Sequence, residues 1–255
     1  MQLGILNAIT PAEEAHFQMP ELDNFQRFFA QVPHNLTFVE YRITEGEFPA
    51  SVTACDAYLV TGSPQGVYDS EPWIGALAAF LRRAYAAGQK LVGICFGHQM
   101  LAHTLGGHAE KAAVGWGIGL RRFAIAQNPP WMTPSLTQGQ LYFCHQDQVV
   151  RLPAGAQRVA GDAFCPNAIF VIGDQVLGIQ GHPEFSTSFM ATLIDALGEQ
   201  AGATVAAQAA ASLTTGAPDS AVVARWVVNF LQQTSPPDPL SAADRGSEGR
   251  VRNQA

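Results

Sequence analysis

The sequence is poor in lysine and has no clustered basic residues. Two of its 255 residues are lysine, Lys90 and Lys111, and the formal net charge is −7. Nucleic-acid binding requires cations grouped on one surface to neutralise phosphates, whereas the arginine pairs at 82–83 and 121–122 stand apart in the chain. The composition therefore argues against a nucleic-acid partner.

Cysteine spacing and hydropathy exclude further classes. The four cysteines, Cys55, Cys95, Cys144 and Cys165, include no Cys-x-x-Cys pair, so neither a zinc site nor a disulfide framework is indicated. We expect no metal and no cofactor. The sequence has no run of about 18 apolar residues and no basic segment followed by a long apolar one at its start. We therefore expect no membrane span and a cytoplasmic location.

The first hundred residues alternate between predicted strands and helices. Strands are predicted at 2–6, 36–41, 57–60 and 91–94, and helices at 21–31 and from Pro72 onward, with Ser70 as the N-cap of the second helix. Such an alternation implies a mainly parallel sheet that is covered by helices on both faces. The predicted fold class is therefore α/β, with a doubly wound, open sheet.

The middle of the chain differs from this pattern. Short β-like runs at 119–125, 140–143, 157–161 and 168–172 are separated by Gly, Pro and Asn, which indicates a smaller antiparallel or mixed portion added to the core. A buried strand at 175–180 and helices at 186–199, with Ser186 as cap, and 219–233 follow. We expect one domain over 1–234 and a disordered tail over 235–255, which has no aromatic residue and three prolines.

A candidate nucleophile lies where the strand at 91–94 passes into a helical pattern. Cys95 is flanked by Gly93 and Gly97, an arrangement that suits a sharp strand-to-helix turn in which a neighbouring Cβ would clash. The helix that follows would point its N-terminal amides at the sulfur and favour thiolate. The alternative reading is a buried free cysteine in a Gly-rich turn.

A candidate base and acid follow the later buried strand, in Gly181-His-Pro-Glu-Phe185. In an extended segment Glu184 projects to the same side as His182 and can reach its imidazole, and Pro183 keeps His182 out of the helical region. Alone, the segment would read as a loop histidine beside a solvated glutamate. Together with Cys95 it supplies a nucleophile, a base and an orienting acid at the carboxyl ends of two strands, where open α/β sheets place their sites.

The two motifs, Gly93-Ile-Cys-Phe-Gly-His-Gln99 and Gln180-Gly-His-Pro-Glu-Phe185, resemble those of class I glutamine amidotransferases over roughly residues 2–190. The resemblance implies a flavodoxin-like glutaminase fold. It also implies that Cys95 attacks the side-chain amide of glutamine and forms a γ-glutamyl thioester. His182 would protonate the departing ammonia and then activate water, while Glu184 would fix the imidazole tautomer.

Further segments match the same family. Thr61-Gly-Ser-Pro64 corresponds to its oxyanion strand, which implies that the backbone N–H of Gly62 or Ser63 joins that of Phe96 in holding the oxyanion. His145-Gln-Asp147 resembles the segment that contacts the amino-acid end of glutamine, and Gln99 matches a glutamine-contacting position. Val114-Gly-Trp-Gly117 resembles a Gly-rich stretch, which suggests that Gly115 and Trp116 line the pocket. A solvated Asp147 and an ordinary Gly-Ser-Pro turn remain the alternatives.

The chain departs from most members of that family because it shows no ATP-using acceptor motif. It has neither a Walker A sequence nor a Ser-Gly-Gly-x-Asp-Ser loop. We therefore predict a stand-alone protein that hydrolyses glutamine to glutamate and ammonia, with an unidentified synthase or ammonia acceptor as a possible partner.

Three alternatives remain open. A γ-glutamyl peptidase acting on γ-glutamyl peptides or glutathione conjugates would use the same chemistry and would differ in pocket room around Phe96, Tyr68 and Trp116. A dienelactone-hydrolase-like enzyme would place its acid well before its histidine, unlike Glu184. A non-catalytic interaction module would have little need to keep Cys95, His182 and Glu184 together.

Overall fold

The computed structural model describes residues 1–233, so the predicted tail at 235–255 lies outside the described residues. The strands are β1 Gln2–Asn7, β2 Thr37–Arg42, β3 Ala57–Val60, β4 Lys90–Ile94, β5 His108–Lys111, β6 Gly117–Ile125, β7 Gln138–His145, β8 Asp147–Arg151, β9 Ala156–Gly161, β10 Ile169–Ile172 and β11 Val176–Ile179. The helices are α1 Pro11–Phe17, α2 Glu21–Phe29, α3 Pro72–Ala86, α4 Phe96–Thr104, α5 Thr187–Ala201, α6 Ala203–Ser212 and α7 Ser220–Gln232, and a short 3₁₀ helix spans Ile43–Glu45.

Within the described residues, nine strands form one mixed sheet in the order β2-β1-β3-β4-β11-β10-β9-β6-β7. The pairs from β2 to β11 in this order are parallel. The pairs from β11 to β7 are antiparallel. The remaining strands β5 and β8 form a separate antiparallel pair. The predicted α/β class is confirmed, and the antiparallel portion continues the same sheet.

Helices cover both faces of the parallel part of the sheet. On one face, the phenylalanines of α2 and the apolar stripe of α7 pack on Leu3, Leu59 and Val92. On the other face, α3 and α4 pack on Tyr58, Val60 and Leu91. Because both faces of the central strands are buried, these strands read as continuous apolar runs in the sequence, which is the signal that predicted them.

Of the two predicted helix N-caps, one is confirmed and one is wrong. Ser186 caps α5 as expected, and its hydroxyl accepts a hydrogen bond from the Phe189 N–H at 3.1 Å. The predicted Ser70 cap is wrong, because Glu71 occupies the N-cap of α3 and makes no side-chain capping bond. Proline at the first helical position lacks an N–H and has a preset φ, so this helix start depends less on a cap.

Five elements have no counterpart among the predicted ones: α1, β5, β8, α6 and the short 3₁₀ helix. The helix α1 buries none of its residues and is held instead by a capping box between Thr10 and Glu13, so it lacks the apolar periodicity that predicts a helix. The strands β5 and β8 are short and mostly polar. No helix of residues 1–233 has the length and apolar character needed to cross a bilayer.

Candidate active site

Cys95 lies in a strained turn between β4 and α4, with φ 51° and ψ −105°. A Cβ on Gly93 would overlap the Gly97 backbone, and a Cβ on Gly97 would overlap the Val60 carbonyl. Both glycines are therefore required by close packing of backbone on backbone. The turn is held from both sides, because the Cys95 N–H donates to the Ile179 carbonyl at 2.9 Å and the Gly97 N–H to the Thr61 carbonyl at 3.1 Å.

His182 follows β11, which pairs in parallel register with β4. The carboxyl ends of these two adjacent strands bring His182 and Cys95 to the same edge of the sheet. The His182 N–H donates to the Tyr142 carbonyl at 2.7 Å, which fixes the backbone of this loop. The ring Nδ1 lies 2.6 Å from Oε1 of Glu184, as expected for a donor held by a carboxylate.

The cysteine and the imidazole are neighbours across Gly62. A Cβ built on Gly62 would lie 3.0 Å from Cε1 of His182 and 3.8 Å from Cβ of Cys95. Burial by itself lowers the pKa of the His182 imidazole, but the charge of Cys95 and then that of Glu184 outweigh it, so the net shift of the pKa is upward. The fold therefore stabilises the protonated form of His182, which lies beside the Cys95 side chain.

Gln180 is a contact of Cys95 to which the sequence analysis assigned no role. Its Nε2 donates to Sγ of Cys95 at 3.6 Å, and its Oε1 accepts from Nε2 of Gln99 at 3.1 Å. The same Gln99 amide donates to the Asp147 carbonyl at 2.8 Å. Both glutamines are buried, so Gln99, predicted to contact substrate, also links α4 to β8 and β11. The only sequence signal for this contact was the position of Gln180, two residues before His182.

His145 is buried at the end of β7 and uses one ring nitrogen within the protein. Its Nδ1–H donates to the Asp147 carbonyl at 2.9 Å, while Nε2 has no partner. Burial lowers the pKa of this imidazole to about 3, so it is neutral near pH 7. Partial burial, followed by the nearby Asp147 carboxylate, raises the pKa of the Tyr68 hydroxyl to about 12. The Tyr68 and Asp147 side chains therefore lie close together in the lining of the cavity.

A cavity of about 510 Å³ opens above Cys95. Eight of the predicted site residues line it, namely Gly62, Ser63, Cys95, Gln99, Trp116, His145, Asp147 and His182. Three others do not line it. Glu184 contacts the far side of the His182 ring, and Gly115, with φ 78°, adjoins Trp116. The ring of Phe96 packs on that of Trp73, with centroids 5.5 Å apart. Phe96 opens α4, so its N–H is one of the donors that a helix leaves without an intrahelical partner.

Glu21, the first residue of α2, is a site residue that the sequence analysis took only as a helix start. Its side chain is buried and lines the cavity, and its N–H donates to Oε1 of Glu14 at 2.8 Å. Burial, followed by repulsion from Glu184, raises the pKa of the Glu21 carboxyl to about 8. A carboxyl in this condition is largely protonated near pH 7 and avoids placing a second negative charge beside Glu184.

The other histidines do not join the site as ligands. His98 is fully buried in α4, where its ring packs 5.0 Å from that of Phe170, and the rings of His103 and His108 lie 5.6 Å apart. Within residues 1–233, no three His, Cys, Asp or Glu side chains are grouped so that they could hold a metal ion.

Similar solved structures support the fold. A glutamine amidotransferase from Thermotoga maritima superposes with a TM-score of 0.72 at 18% identity, covering 91% of this chain and 99% of that one. A glutamine amidotransferase from Methylobacillus flagellatus gives a TM-score of 0.62 at 19% identity over 93% of this chain and 98% of that one. At such identities the likeness concerns the fold alone.

Relatives in sequence carry two kinds of name. Gamma-glutamyl peptidase 3 of Arabidopsis thaliana is 29% identical over 75% of this chain and 81% of its own length. Gamma-glutamyl peptidase 5 of the same plant is 32% identical over 61% of this chain and 64% of its own length, which is less than two thirds of that relative. A glutamine-hydrolysing GMP synthase of Porphyromonas gingivalis is 30% identical over 54% of this chain but only 26% of its own length.

The family model of class-I glutamine amidotransferases matches residues 22–195. This match covers more than half of the chain and includes the turn at Cys95, the loop at His182 and most of the sheet between them. The chain therefore belongs to the class-I glutamine amidotransferase family.

Proposed function

We propose that this protein hydrolyses γ-glutamyl amides through a γ-glutamyl thioester on Cys95, with glutamine as a substrate that gives glutamate and ammonia. The observation that supports this most strongly is the 2.6 Å contact between His182 Nδ1 and Glu184 Oε1, made beside a cysteine held at φ 51°. Family membership agrees with a hydrolase of the glutamine amidotransferase type.

The first half of the reaction forms the thioester. The Cys95 thiolate attacks the γ-carbonyl carbon, and the developing oxyanion is held by the backbone N–H of Phe96 and of Gly62 or Ser63. Each such donor contributes on the order of 10²–10³ in rate. The His182 imidazolium then gives its proton to the departing nitrogen as the carbon–nitrogen bond breaks, and the acyl group stays on sulfur.

The second half releases glutamate. Neutral His182, oriented by Glu184, takes a proton from water as the oxygen attacks the thioester carbon. The carbon–sulfur bond breaks, and the γ-carboxyl group of glutamate forms and releases the second proton of the water to solvent. The proton on His182 restores its pair with the Cys95 thiolate. The role of Glu21 in this scheme is to stay protonated and leave Glu184 as the charged partner of the imidazole.

A γ-glutamyl peptidase is a second candidate. The similarity to gamma-glutamyl peptidase 3 of Arabidopsis thaliana covers 75% of this chain, and the cavity of about 510 Å³ is within the range of roughly 300–1,000 Å³ that holds drug-sized ligands. Glutamine is much smaller than that. The two candidates share every step above and differ in the amine that leaves.

The test is hydrolysis by the purified full chain. Incubation with glutamine, γ-Glu-Cys and glutathione, followed by measurement of glutamate, ammonia and free amine, is expected to show turnover without added partner protein. Cys95→Ala is expected to remove that turnover and keep the fold, measured by circular dichroism. Turnover that survives in Cys95→Ala would contradict the mechanism. Activity that appears only after a cell extract is added would instead indicate a synthase partner.

Covalent labelling gives a second readout. A diazo-ketone analogue of glutamine is expected to modify Cys95 alone, as measured by peptide mass spectrometry. Burial raises the pKa of Cys144 and of Cys165 to about 12, so neither is a reactive thiolate near pH 7. Modification of either of these, or of Cys55, in place of Cys95 would refute the assignment of the nucleophile.

A further inference from the structure

The cavity over Cys95 has two chemically different halves. One half is polar and is formed around Asp147, whose carbonyl accepts from Gln99 and His145 and which pairs with Lys111 across the β5–β8 ladder. The other half lies between α1 and α5 and is apolar, with Phe17, Met19, Phe185, Phe189, Leu193 and Leu197 lining it. On α5 the last three of these recur every four residues, so they form one stripe that faces the cavity.

The polar half suits the constant part of a γ-glutamyl amide. The α-carbon end of that group carries an ammonium and a carboxylate, and it needs partners of both signs. Lys111 and Asp147 are directly paired in the β5–β8 ladder, so a cation and an anion stand together there. Among the lining residues of the described chain, Lys111 is the only lysine or arginine.

The apolar half begins at the group that would protonate the leaving nitrogen. The His182 ring stacks on Phe185 with centroids 3.9 Å apart and planes inclined by 9°. Phe185 contacts Phe189 edge-on at 4.7 Å, and Phe189 contacts Phe17 at 5.8 Å. An amine that receives its proton from His182 would therefore leave next to Phe185, Phe189 and Phe17.

The charges at the border of the apolar half are negative. Glu13 and Glu14 of α1 line the cavity, and both are held in place. Glu13 accepts from the Thr10 N–H at 2.8 Å, and Glu14 accepts from Nδ2 of Asn7 at 3.0 Å. Arg42 pairs with Glu14 at 3.4 Å but does not line the cavity. A carboxylate on the leaving amine would therefore find two fixed carboxylates nearby and no cationic side chain among the described residues of this half, although Glu21 and Gln200 also line the cavity.

We propose that the space between α1 and α5 is a leaving-amine subsite that selects γ-glutamyl amides whose amine part is apolar and carries no carboxylate. This inference rests on the proposed hydrolysis at Cys95 and names its substrate class. Apolar surface of the amine is removed from water against the phenylalanines and leucines. A carboxylate on the leaving amine, such as that of γ-Glu-Cys, would be desolvated there with no cationic side chain of the described chain to pair it.

A matched pair of substrates tests the inference in the wild-type full chain. γ-Glutamyl-2-phenylethylamide and γ-glutamyl-L-phenylalanine differ only in the carboxylate of the leaving amine. The phenylethylamide is expected to have a kcat/KM about tenfold or more above that of the phenylalanine peptide, because an unpaired buried charge is costly. Equal values, or a preference for the peptide, would overturn the subsite.

A charge placed on the α5 stripe provides a second test. Leu197→Lys supplies the missing cation and is expected to lower the ratio of the two kcat/KM values severalfold. Ala196→Lys is the control, because it adds the same charge at the next residue, which is exposed and does not line the cavity. The control is expected to leave the ratio unchanged. A ratio that moves equally in both variants would refute a role for the stripe.

The failure of this inference differs from the failure of the proposed function. If glutamine is hydrolysed and neither phenyl compound is, the subsite is wrong and the hydrolysis stands. If no γ-glutamyl compound is hydrolysed and the diazo-ketone leaves Cys95 unmodified, the hydrolysis itself is wrong and the subsite falls with it.

Discussion

At Cys95 the backbone has a conformation that favours glycine, and this predicts an unusual stability order among its variants. A non-glycine residue at positive φ costs on the order of 1–3 kcal/mol, and the side chain of Cys95 is small, so its loss leaves little empty space. Cys95→Gly is therefore expected to have a free energy of unfolding about 1 kcal/mol higher than that of Cys95→Ala, and so to unfold at a higher urea concentration. Both are expected to lack turnover. Equal midpoints would mean that the turn holds no strain.

Glu21 predicts a pH dependence of stability. Its pKa is raised from 4.5 to about 8 in the folded chain, so the folded state holds this proton more tightly than the unfolded state. Its contribution to stability is complete below pH 4.5 and is lost as the pH rises toward 8, with a slope of at most about 1.4 kcal/mol per pH unit. Glu21→Gln is expected to remove this slope and to gain stability relative to wild type as the pH rises.

Urea unfolding of the two proteins between pH 5 and 8 measures that difference. His182 titrates in both proteins, so the difference between the two profiles reports the loss of the Glu21 carboxyl together with its interaction with His182. Glu199→Gln is the control, because Glu199 is exposed on α5. Its free energy of unfolding is expected to change with pH in parallel with that of wild type. A Glu21→Gln profile that also ran parallel to wild type would refute a raised pKa at Glu21.

At the scale of elements, the close contact of α4 with β3 positions Cys95. A Cβ on Gly97 would overlap the Val60 carbonyl, so α4 would have to move away from β3 and carry Cys95 and Phe96 with it. Gly97→Ala is expected to lower stability by about 1–3 kcal/mol and to reduce kcat more than the stability loss explains.

Gly75→Ala is the matched control for that prediction. Gly75 is exposed in α3 and has open space around its Cα, so alanine is expected to stabilise the helix by about 0.5–1 kcal/mol. Urea unfolding and steady-state kinetics of both variants provide the measurements. A Gly97→Ala variant with wild-type kinetics would show that the turn tolerates a shift of α4.

Strand pairing places the rest of the site. β11 lies beside β4 although 81 residues separate the end of β4 at Ile94 from the start of β11 at Val176 (176 − 94 − 1). This pairing brings Gln180 and His182 to Cys95. β7 is an edge strand and lies four strands from β11 in the sheet order. His145, at the end of β7, reaches the site because Tyr142 of the same strand bridges to His182.

At the scale of the whole molecule, local patterns were sufficient for the fold class. Alternating apolar runs and amphipathic stretches predicted the α/β class, which the sheet order confirms, because the buried faces of strands and helices leave a periodic record in the chain. The glycines around Cys95 predicted a turn for a local steric reason. The two motifs also identified the family, which the match over residues 22–195 confirms, whereas the roles of Cys95, His182 and Glu184 stay predictions.

Contacts between distant segments left no such record. The contact of Gln180 with Cys95, the raised pKa of Glu21 beside Glu184, and the apolar wall shared by α1 and α5 each join residues far apart in the chain. Phe17 and Leu197 belong to helices that are far apart in the chain, and α1 has no buried residue that would have marked it. Burial, charge and pocket shape depend on which surfaces contact each other after folding. The periodicity of one segment does not show which distant segment it will contact.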